Sequence, residues 1–107
     1  MRSGGLTVRL TVSPTLARRG VEVRIEVAAH ALDAPGVLGY SLRYGDGTTT
    51  GSGPVPLFCL HGASRPAQRT WRLSHRYGTP GRYLVSASVY VNCTDEHATA
   101  KAQVLVN

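Results

Sequence analysis

The chain has 107 residues, 42% of them hydrophobic, and a formal net charge of +6. This length supports one domain with its own core, and no run of about 18 apolar residues is present that could cross a membrane as a helix. A net positive charge makes nucleic acid a candidate partner. However, the arginines are scattered along the sequence, and only Arg18 and Arg19 are adjacent. We therefore expect a solubilising basic surface and no nucleic-acid binding.

Three strands are predicted in the first half of the chain. Apolar side chains alternate with polar ones over residues 6–12, 21–27 and 38–44. This period of two is typical of a strand that buries one face. Proline and glycine between the three segments predict turns. Residues 1–5, which precede the first strand, are expected to form a disordered tail.

A tight turn and an irregular insert are predicted in the middle of the chain. Gly45-Asp46-Gly47 suits a hairpin, because glycine and aspartate tolerate the positive φ that a tight turn needs. Residues 48–50 would form a short returning strand. Glycine and proline then recur, which predicts an irregular insert over residues 51–68 that ends in an exposed loop at 61–68.

The second half contains the clearest strand, at residues 83–91, where one face is apolar at every second position. A strand at 71–77 precedes it, a turn at Thr79-Pro80-Gly81 leads into it, and a last strand is predicted at 100–106. No segment has helical periodicity. About seven strands with regular turn signals predict an all-β fold, an immunoglobulin-like antiparallel β-sandwich, in which residues 1–107 form a single domain.

Two motifs carry a resemblance to a known family. The first is Leu42-Arg43-Tyr44-Gly45-Asp46-Gly47, and the second is Ser74-His75-Arg76-Tyr77 followed by Pro80-Gly81-Arg82-Tyr83. Together they resemble the polycystic-kidney-disease (PKD) repeat, in which a strand ends in Trp-Asp-Phe-Gly-Asp-Gly and is followed by His-x-Tyr and Pro-Gly-x-Tyr. The second motif matches in full. In the first, Leu42 and Arg43 replace the usual Trp and Asp.

The resemblance implies a non-catalytic module of an extracellular or cell-surface protein, acting as a spacer or as a protein-interaction or adhesion unit. The expected partner is a protein or a polysaccharide. No cofactor, catalytic residue or membrane insertion is expected, and the isolated domain is expected to be a monomer. No serine-nucleophile elbow, metalloprotease helix motif or phosphate loop is present in the sequence, in agreement with a non-enzymatic function.

An alternative function is that of a carbohydrate-binding accessory module of a secreted hydrolase. Sugar rings stack on exposed aromatic side chains, and Tyr40, Trp71 and Tyr90 are the candidates. Tyr40 and Trp71 fall on predicted core faces. Tyr90 falls on an outward position and is therefore the predicted ligand-binding residue.

The motif residues are predicted to have structural roles. Asp46 can accept hydrogen bonds from N–H groups of its own turn. Tyr83 is expected to bury its ring while its hydroxyl binds a backbone carbonyl, like the tyrosine corner of immunoglobulin-like folds. His75 is expected to be a hydrogen-bonded packing residue. The remaining members of the structural set are Tyr44, Gly45, Gly47, Tyr77, Pro80 and Gly81.

The two cysteines, Cys59 and Cys93, are expected to form a disulfide, since the family that the chain resembles is extracellular. This bond would tie the irregular insert to the end of the strand at 83–91. Two metal sites are weaker alternatives. A zinc ion could be bound by both cysteines with His61 and His97, and a calcium ion by Asp95 and Glu96. No metal is the preferred prediction.

Overall fold

The structure, a computed structural model, describes residues 6–34, 38–52, 65–91 and 97–107, without the side chains of residues 33, 34 and 65. In these ranges all regular secondary structure is β-strand. No helix long and apolar enough to cross a membrane is found among the described residues. The strands are β1 (Thr7–Ser13), β2 (Leu16–Ala17), β3 (Glu22–Ala34), β4 (Leu38–Arg43), β5 (Thr49–Gly51), β6 (Arg65–Arg76), β7 (Gly81–Val91) and β8 (His97–Val106).

The strands form two sheets, one of three strands in the order β1-β3-β6 and one of five in the order β2-β8-β7-β4-β5. Every pairing is antiparallel except that of β2 with β8. The all-β, immunoglobulin-like sandwich predicted from the alternating pattern is therefore confirmed. Alternation produces this result because each strand must bury one face, and two sheets can bury those faces against each other.

The core lies between the sheets and is built from alternate residues of the central strands. Val23, Ile25 and Val27 of β3 have no more than 1% of their surface exposed, and Val85 and Val89 of β7 have none. Each such aliphatic side chain contributes about 1.5–3 kcal/mol through removal from water. The polar residues between them face solvent, as the period of two requires.

Several bounds of the strand prediction need correction: β3 continues beyond residue 27 to Ala34, and β8 begins at His97 instead of residue 100. β6 begins at Arg65, so residues 65–68 belong to a strand, and the predicted loop and insert are shorter there. Pairing with an extended β3 outweighs the loop-like composition, with Gln68 opposite His30 and Ala67 opposite Ala31. Pro66, which lacks an N–H group, is compatible with this strand because β6 lies at the edge of its sheet. The two-residue β2 was not predicted, since two residues have no period.

The two ends of the sandwich differ, and we name them for use below. The motif end holds the turn after β4, the end of β6 and the start of β7. The far end holds the start of β1, where Thr7 is paired with His30, and the start of β4, where Leu38 is paired with Val91. The chain therefore enters β1 at the far end, and β8 finishes at the motif end, where Arg19 donates its N–H to the carbonyl of Asn107.

Candidate functional site

The family motifs, far apart in sequence, meet at the motif end of the sandwich. The Tyr44–Gly47 turn leaves β4 of the five-stranded sheet, whereas His75 lies near the end of β6 in the three-stranded sheet. Their side chains contact each other across the opening between the sheets, and Tyr77 and Tyr83 extend the cluster.

The centre of this cluster is a bond between Asp46 and His75. Nε2 of His75 lies 2.7 Å from Oδ2 of Asp46, and both side chains are mostly buried, with 17% and 22% of their surface exposed. The other carboxylate oxygen accepts hydrogen bonds from the N–H and the hydroxyl of Thr48, the first at 3.0 Å. Burial alone raises the pKa of Asp46, but the hydrogen bonds from Thr48 and His75 outweigh it and lower the pKa to about 2. Asp46 is therefore held as a carboxylate.

Aromatic rings fix the imidazole of His75 on two sides. The ring of Tyr44 stacks on it with centroids 3.9 Å apart and an angle of 10° between the planes. The ring of Tyr77 meets it edge-on, with centroids 4.7 Å apart. Both geometries are favourable for aromatic groups, so the imidazole is held in place by packing as well as by Asp46.

Tyr77 joins the two sheets from inside the core. Its side chain is essentially buried, with 1% of the residue surface exposed, and its hydroxyl donates to the carbonyl of Tyr44 at 2.7 Å. Burial, with smaller contributions from the charges of Asp46, Tyr44 and Tyr83, raises the pKa of Tyr77 to about 12. The phenol therefore remains a neutral donor over the physiological range.

Tyr83 extends this aromatic stack towards the surface. Its ring packs on that of Tyr77 with centroids 4.3 Å apart, and its hydroxyl donates to the carbonyl of Thr79, four residues earlier, at 2.6 Å. The hydroxyl thus closes the turn that contains the exposed Pro80 and leads into β7 at Gly81. The ring itself is half-buried.

The two glycines of the Tyr44–Gly47 turn have nearly the same φ angle but different surroundings. Gly45 has φ +95° and Gly47 has φ +94°. A Cβ at Gly45 would lie 2.7 Å from the backbone oxygen of Leu84, whereas nothing lies within 4 Å of one at Gly47. Gly45 is therefore required both by its φ and by the close approach of β7.

Tyr90 lies apart from this cluster, near the far end and on the outward face of the five-stranded sheet. Its ring crosses the neighbouring strand at Gly39, where an added Cβ would lie 2.5 Å from ring carbons of Tyr90. Its hydroxyl is 3.4 Å from Oγ of Ser52. The other two candidate aromatic residues, Tyr40 and Trp71, face the space between the sheets, with ring centroids 4.7 Å apart.

Comparison with solved structures places this geometry in a known fold. The chain is similar to the PKD domain of an M14-like peptidase from Thermoplasmatales archaeon SCGC AB-540-F20, with TM-score 0.62, 17% identity and coverage of 92% of this chain and 91% of the other. It is also similar to the PKD domain of the human VPS10 domain-containing receptor SorCS2, with TM-score 0.55, 23% identity and coverage of 96% and 72%. The chain has a PKD-like fold of the immunoglobulin type.

A CARDB domain from Pyrococcus furiosus, solved in complex with di-metal ions, is similar to this PKD-like domain as well. Its TM-score is 0.64 at 14% identity, with coverage of 94% of this chain and 91% of that one. No family model and no curated protein sequence matches the chain. The similarity to these three structures is therefore a similarity of fold.

The cysteine and metal predictions fall largely outside the part of the PKD-like domain that the structure describes. Cys59, Cys93 and His61 lie outside it, as do Asp95 and Glu96. In the described ranges, no three His, Cys, Asp or Glu side chains are grouped so that they could bind a metal ion.

Several residues that take part in these contacts were not among the residues predicted from the sequence. Thr48 binds the Asp46 carboxylate, and the Asp-x-Thr spacing of a local turn could have indicated this bond. The carbonyls of Tyr44 and Thr79 accept the tyrosine hydroxyls, but a backbone acceptor has no residue type to recognise. Gly39 and Ser52 are brought to Tyr90 by strand register alone.

The chemistry that this arrangement supports is structural. The carboxylate, the imidazole and both hydroxyls of the motif end each have a partner within the PKD-like domain. A phenol with a pKa near 12 and a carboxylate with a pKa near 2 are poorly suited to exchange protons at neutral pH. The cluster joins three strands and two turns.

Proposed function

We propose that this chain is a non-catalytic accessory module of an extracellular or cell-surface protein, in which it separates neighbouring domains or contacts another protein. The observation that carries the proposal is the internal use of the motif side chains, with Asp46 bonded to His75 and Tyr77 bonded to the backbone of Tyr44. Groups used in this way stabilise a scaffold and are not available to a substrate.

The path of the chain supports a spacer. The described strands extend over 51 × 25 × 19 Å. β1 begins at the far end and β8 finishes at the motif end, so polypeptide that precedes and follows would leave in opposite directions. A module of this kind holds its neighbours apart by the length of the sandwich.

The similar structures support the same proposal. Two of them are PKD domains. In one case the module is a domain of a peptidase, and in the other it is a domain of a receptor. We propose a corresponding accessory role for this chain, together with an extracellular or cell-surface location.

We also propose the Cys59–Cys93 disulfide as the element that orders the insert. The described residues before the two segments support it: Ser52 immediately precedes residues 53–64, and its Oγ lies 3.4 Å from the hydroxyl of Tyr90, which lies two residues before residues 92–96. The two segments that carry the cysteines therefore leave the sandwich near each other. An oxidising location and this disulfide are consistent with one another.

The experiment uses the full-length protein that contains this module. One variant replaces residues 6–107 with an unrelated β-sandwich of similar length, and a second replaces them with a flexible Gly/Ser linker of equal residue number. A spacer predicts that the first variant keeps the activity of the neighbouring domain and that the second loses much of it, because a flexible linker fixes no separation. Loss in both variants would favour a specific contact, and activity in both would contradict a spacer. Surface labelling of intact cells tests the location.

A further inference from the structure

We propose that the outward face of the five-stranded sheet binds an anionic polysaccharide, with Tyr90 as the stacking platform and Arg43 and Lys101 as the groups that pair with the sugar acid. This proposal does not depend on the spacer role. It deepens the alternative function, that of a carbohydrate-binding module, by assigning the binding face and the chemical class of the ligand.

The first observation is the position of the Tyr90 ring. Because the position of a Cβ on Gly39 lies 2.5 Å from two ring carbons of Tyr90, the ring lies over the backbone of β4. The part of the ring that meets Gly39 is therefore covered by β4, and the residue remains partly exposed. The exposed part of the ring is aromatic surface on which a flat apolar ligand surface, such as the C–H face of a sugar ring, can pack.

The second observation is a row of hydroxyls beside that ring. Ser41, Ser88 and Thr99 lie next to one another across β4, β7 and β8. Oγ of Ser88 and Oγ1 of Thr99 are 3.2 Å apart, and the side chains point outward. Short hydroxyls can both donate and accept, which suits a ligand covered with hydroxyl groups.

The third observation is a row of cations beyond the hydroxyls. Arg43, Ser86 and Lys101 are neighbours across the same three strands. In the part of the chain that the structure describes, neither Arg43 nor Lys101 has a carboxylate within ion-pair distance. Arg82, also outward on β7, adds a further positive charge towards the motif end.

The charges of the two outward faces differ. Among the described strand positions, the outward face of the five-stranded sheet holds no Asp or Glu. The outward face of the three-stranded sheet carries Glu22 and Glu26, and Glu26 pairs with Arg72 at 3.6 Å. On the three-stranded sheet Arg72 and Arg76 lie opposite Glu26 and Glu22, whereas the described strand positions of the face that carries Tyr90 hold basic residues and no acidic ones. An anionic ligand would meet no repelling carboxylate there.

The spacing of these rows indicates the ligand class. Tyr90 and Ser86 are four residues apart on β7, about 13 Å along a strand. A single sugar cannot reach from the ring to the cations, but an extended polysaccharide chain can. Its C–H faces fit Tyr90, its hydroxyls fit the Ser and Thr row, and a carboxylate or sulfate group fits Arg43 and Lys101.

The experiment is affinity electrophoresis of the 107-residue chain through native gels that contain polygalacturonate, heparin, neutral dextran or no polymer, at physiological ionic strength. We expect retardation by polygalacturonate or heparin and none by dextran. Retardation by polygalacturonate alone would indicate a carboxylated ligand, and retardation by heparin alone a sulfated one. No retardation by either polymer would overturn the proposal. Since no neighbouring domain is involved, that failure would leave the spacer proposal unaffected.

The charge variants have a matched control. Arg43→Gln with Lys101→Gln removes two charges from the proposed face, and Arg9→Gln with Arg24→Gln removes two from the other sheet. We expect the first pair to weaken binding by about tenfold and the second to change it by less than about twofold. Equal loss in both pairs would show a response to net charge alone and would contradict the assigned face.

The ring is tested by Tyr90→Ala and by Tyr90→Leu, which keeps an apolar cover over Gly39 if the alanine variant is unstable. Both should weaken binding by about tenfold at an unchanged circular dichroism spectrum, and Tyr90→Phe should retain it. A duplex DNA of similar charge serves as the competitor. If DNA binds as tightly as the polysaccharide and Tyr90→Leu has no effect, the face is a nonspecific polyanion surface and the proposal is wrong.

Discussion

The carboxylate of Asp46, on the hairpin of one sheet, lies 2.7 Å from Nε2 of His75, near the end of the edge strand of the other sheet. The imidazole of His75 packs against the rings of Tyr44 and Tyr77, and 22% of the Asp46 side chain remains exposed. This bond joins the two sheets at the motif end, where the Tyr77 hydroxyl also binds the carbonyl of Tyr44 and the N–H groups of Arg19 and Gly20 bind the carbonyls of Asn107 and Tyr77. Asp46 and His75, 29 positions apart in sequence, thus form one of several links across this end of the fold.

The Asp46→Asn variant should be less stable than the parent at neutral pH and equal to it in strong acid. The pKa of Asp46 is lowered from 3.8 to about 2 in the folded chain. A lowered pKa adds stability that is fully present above about pH 4 and is lost as the pH falls through 2. After allowance for solvent screening, we expect a difference of about 1 kcal/mol at pH 7.

Urea unfolding at pH 7, 4 and 2 measures this difference. Glu26→Gln is the matched control, because the pair of Glu26 with Arg72 is longer, at 3.6 Å, and exposed. It should change the free energy of unfolding by less than about 0.5 kcal/mol at each pH. An Asp46→Asn effect that is the same at pH 7 and pH 2 would show that the charge of Asp46 contributes nothing.

The two tyrosine hydroxyls of the motif end should differ in their contribution to stability. Tyr77→Phe leaves the buried carbonyl of Tyr44 without its donor, so we expect a loss of about 2 kcal/mol. Tyr83→Phe frees an exposed carbonyl of Thr79 that water can reach, so we expect about 1 kcal/mol. The measurement is the free energy of unfolding at pH 7. Equal losses would contradict the difference in burial.

The raised pKa of Tyr77 also predicts that the folded chain loses stability at alkaline pH. Its pKa is raised from 10.0 to about 12 in the folded chain. A raised pKa adds stability below pH 10 that is lost as the pH rises from 10 to 12, because only the unfolded chain ionises in that interval. The fall in stability between these values should be smaller in Tyr77→Phe than in the parent and unchanged in Ser88→Ala.

The alternation of apolar and polar residues is sufficient to predict the two-sheet architecture. Val85, Ala87 and Val89 repeat every second residue, and this one property fixes which face of β7 is buried. The ordered motif around His75 and Pro80 led to the same fold by a separate route. Both signals are local in sequence, which is why they could be recognised without coordinates.

Other contacts that the sequence did not reveal depend on strand register. Nothing near Gly39 in the sequence indicates that Tyr90 lies over it, since the two meet only because β4 pairs with β7 in one alignment. Strand β6 is longer than the sequence predicts, because its pairing with β3 outweighs the loop-like composition of residues 65–68. Register is set by the whole sheet, so these features could not be predicted from local patterns.

Gly45→Ala and Gly47→Ala form a matched pair that separates backbone strain from steric overlap. Both glycines have a φ near +95°, so alanine costs about 1–2 kcal/mol at either position. At Gly45 the new methyl group would also lie 2.7 Å from the backbone oxygen of Leu84. We expect Gly47→Ala to fold with a loss of about 1–2 kcal/mol. Gly45→Ala should lose about 2 kcal/mol more or fail to fold, and equal effects in thermal unfolding would contradict the close approach of β7.

The proposed Cys59–Cys93 disulfide predicts no free thiol in the chain refolded under oxidising conditions. The loop that it closes is about 35 residues long, so the bond should add about 3–4 kcal/mol to the free energy of unfolding in the chain-entropy model. Thiol labelling under denaturing conditions, with and without reductant, counts the thiols. The double variant Cys59→Ser with Cys93→Ser should unfold like the reduced parent. Two labelled thiols without reductant would contradict the bond.

A double-mutant cycle tests the contact between Gly39 and Tyr90 on which the proposed binding face depends. Gly39→Ala places a methyl group where the ring of Tyr90 lies, so it should cost about 1–3 kcal/mol in the parent. In a Tyr90→Leu background the side chain is smaller and can move aside, and the same change should cost much less. We therefore expect a coupling energy of at least about 1 kcal/mol from urea unfolding of the four variants. Additive effects would show that the ring does not cover Gly39, and the platform for a sugar ring would then be absent.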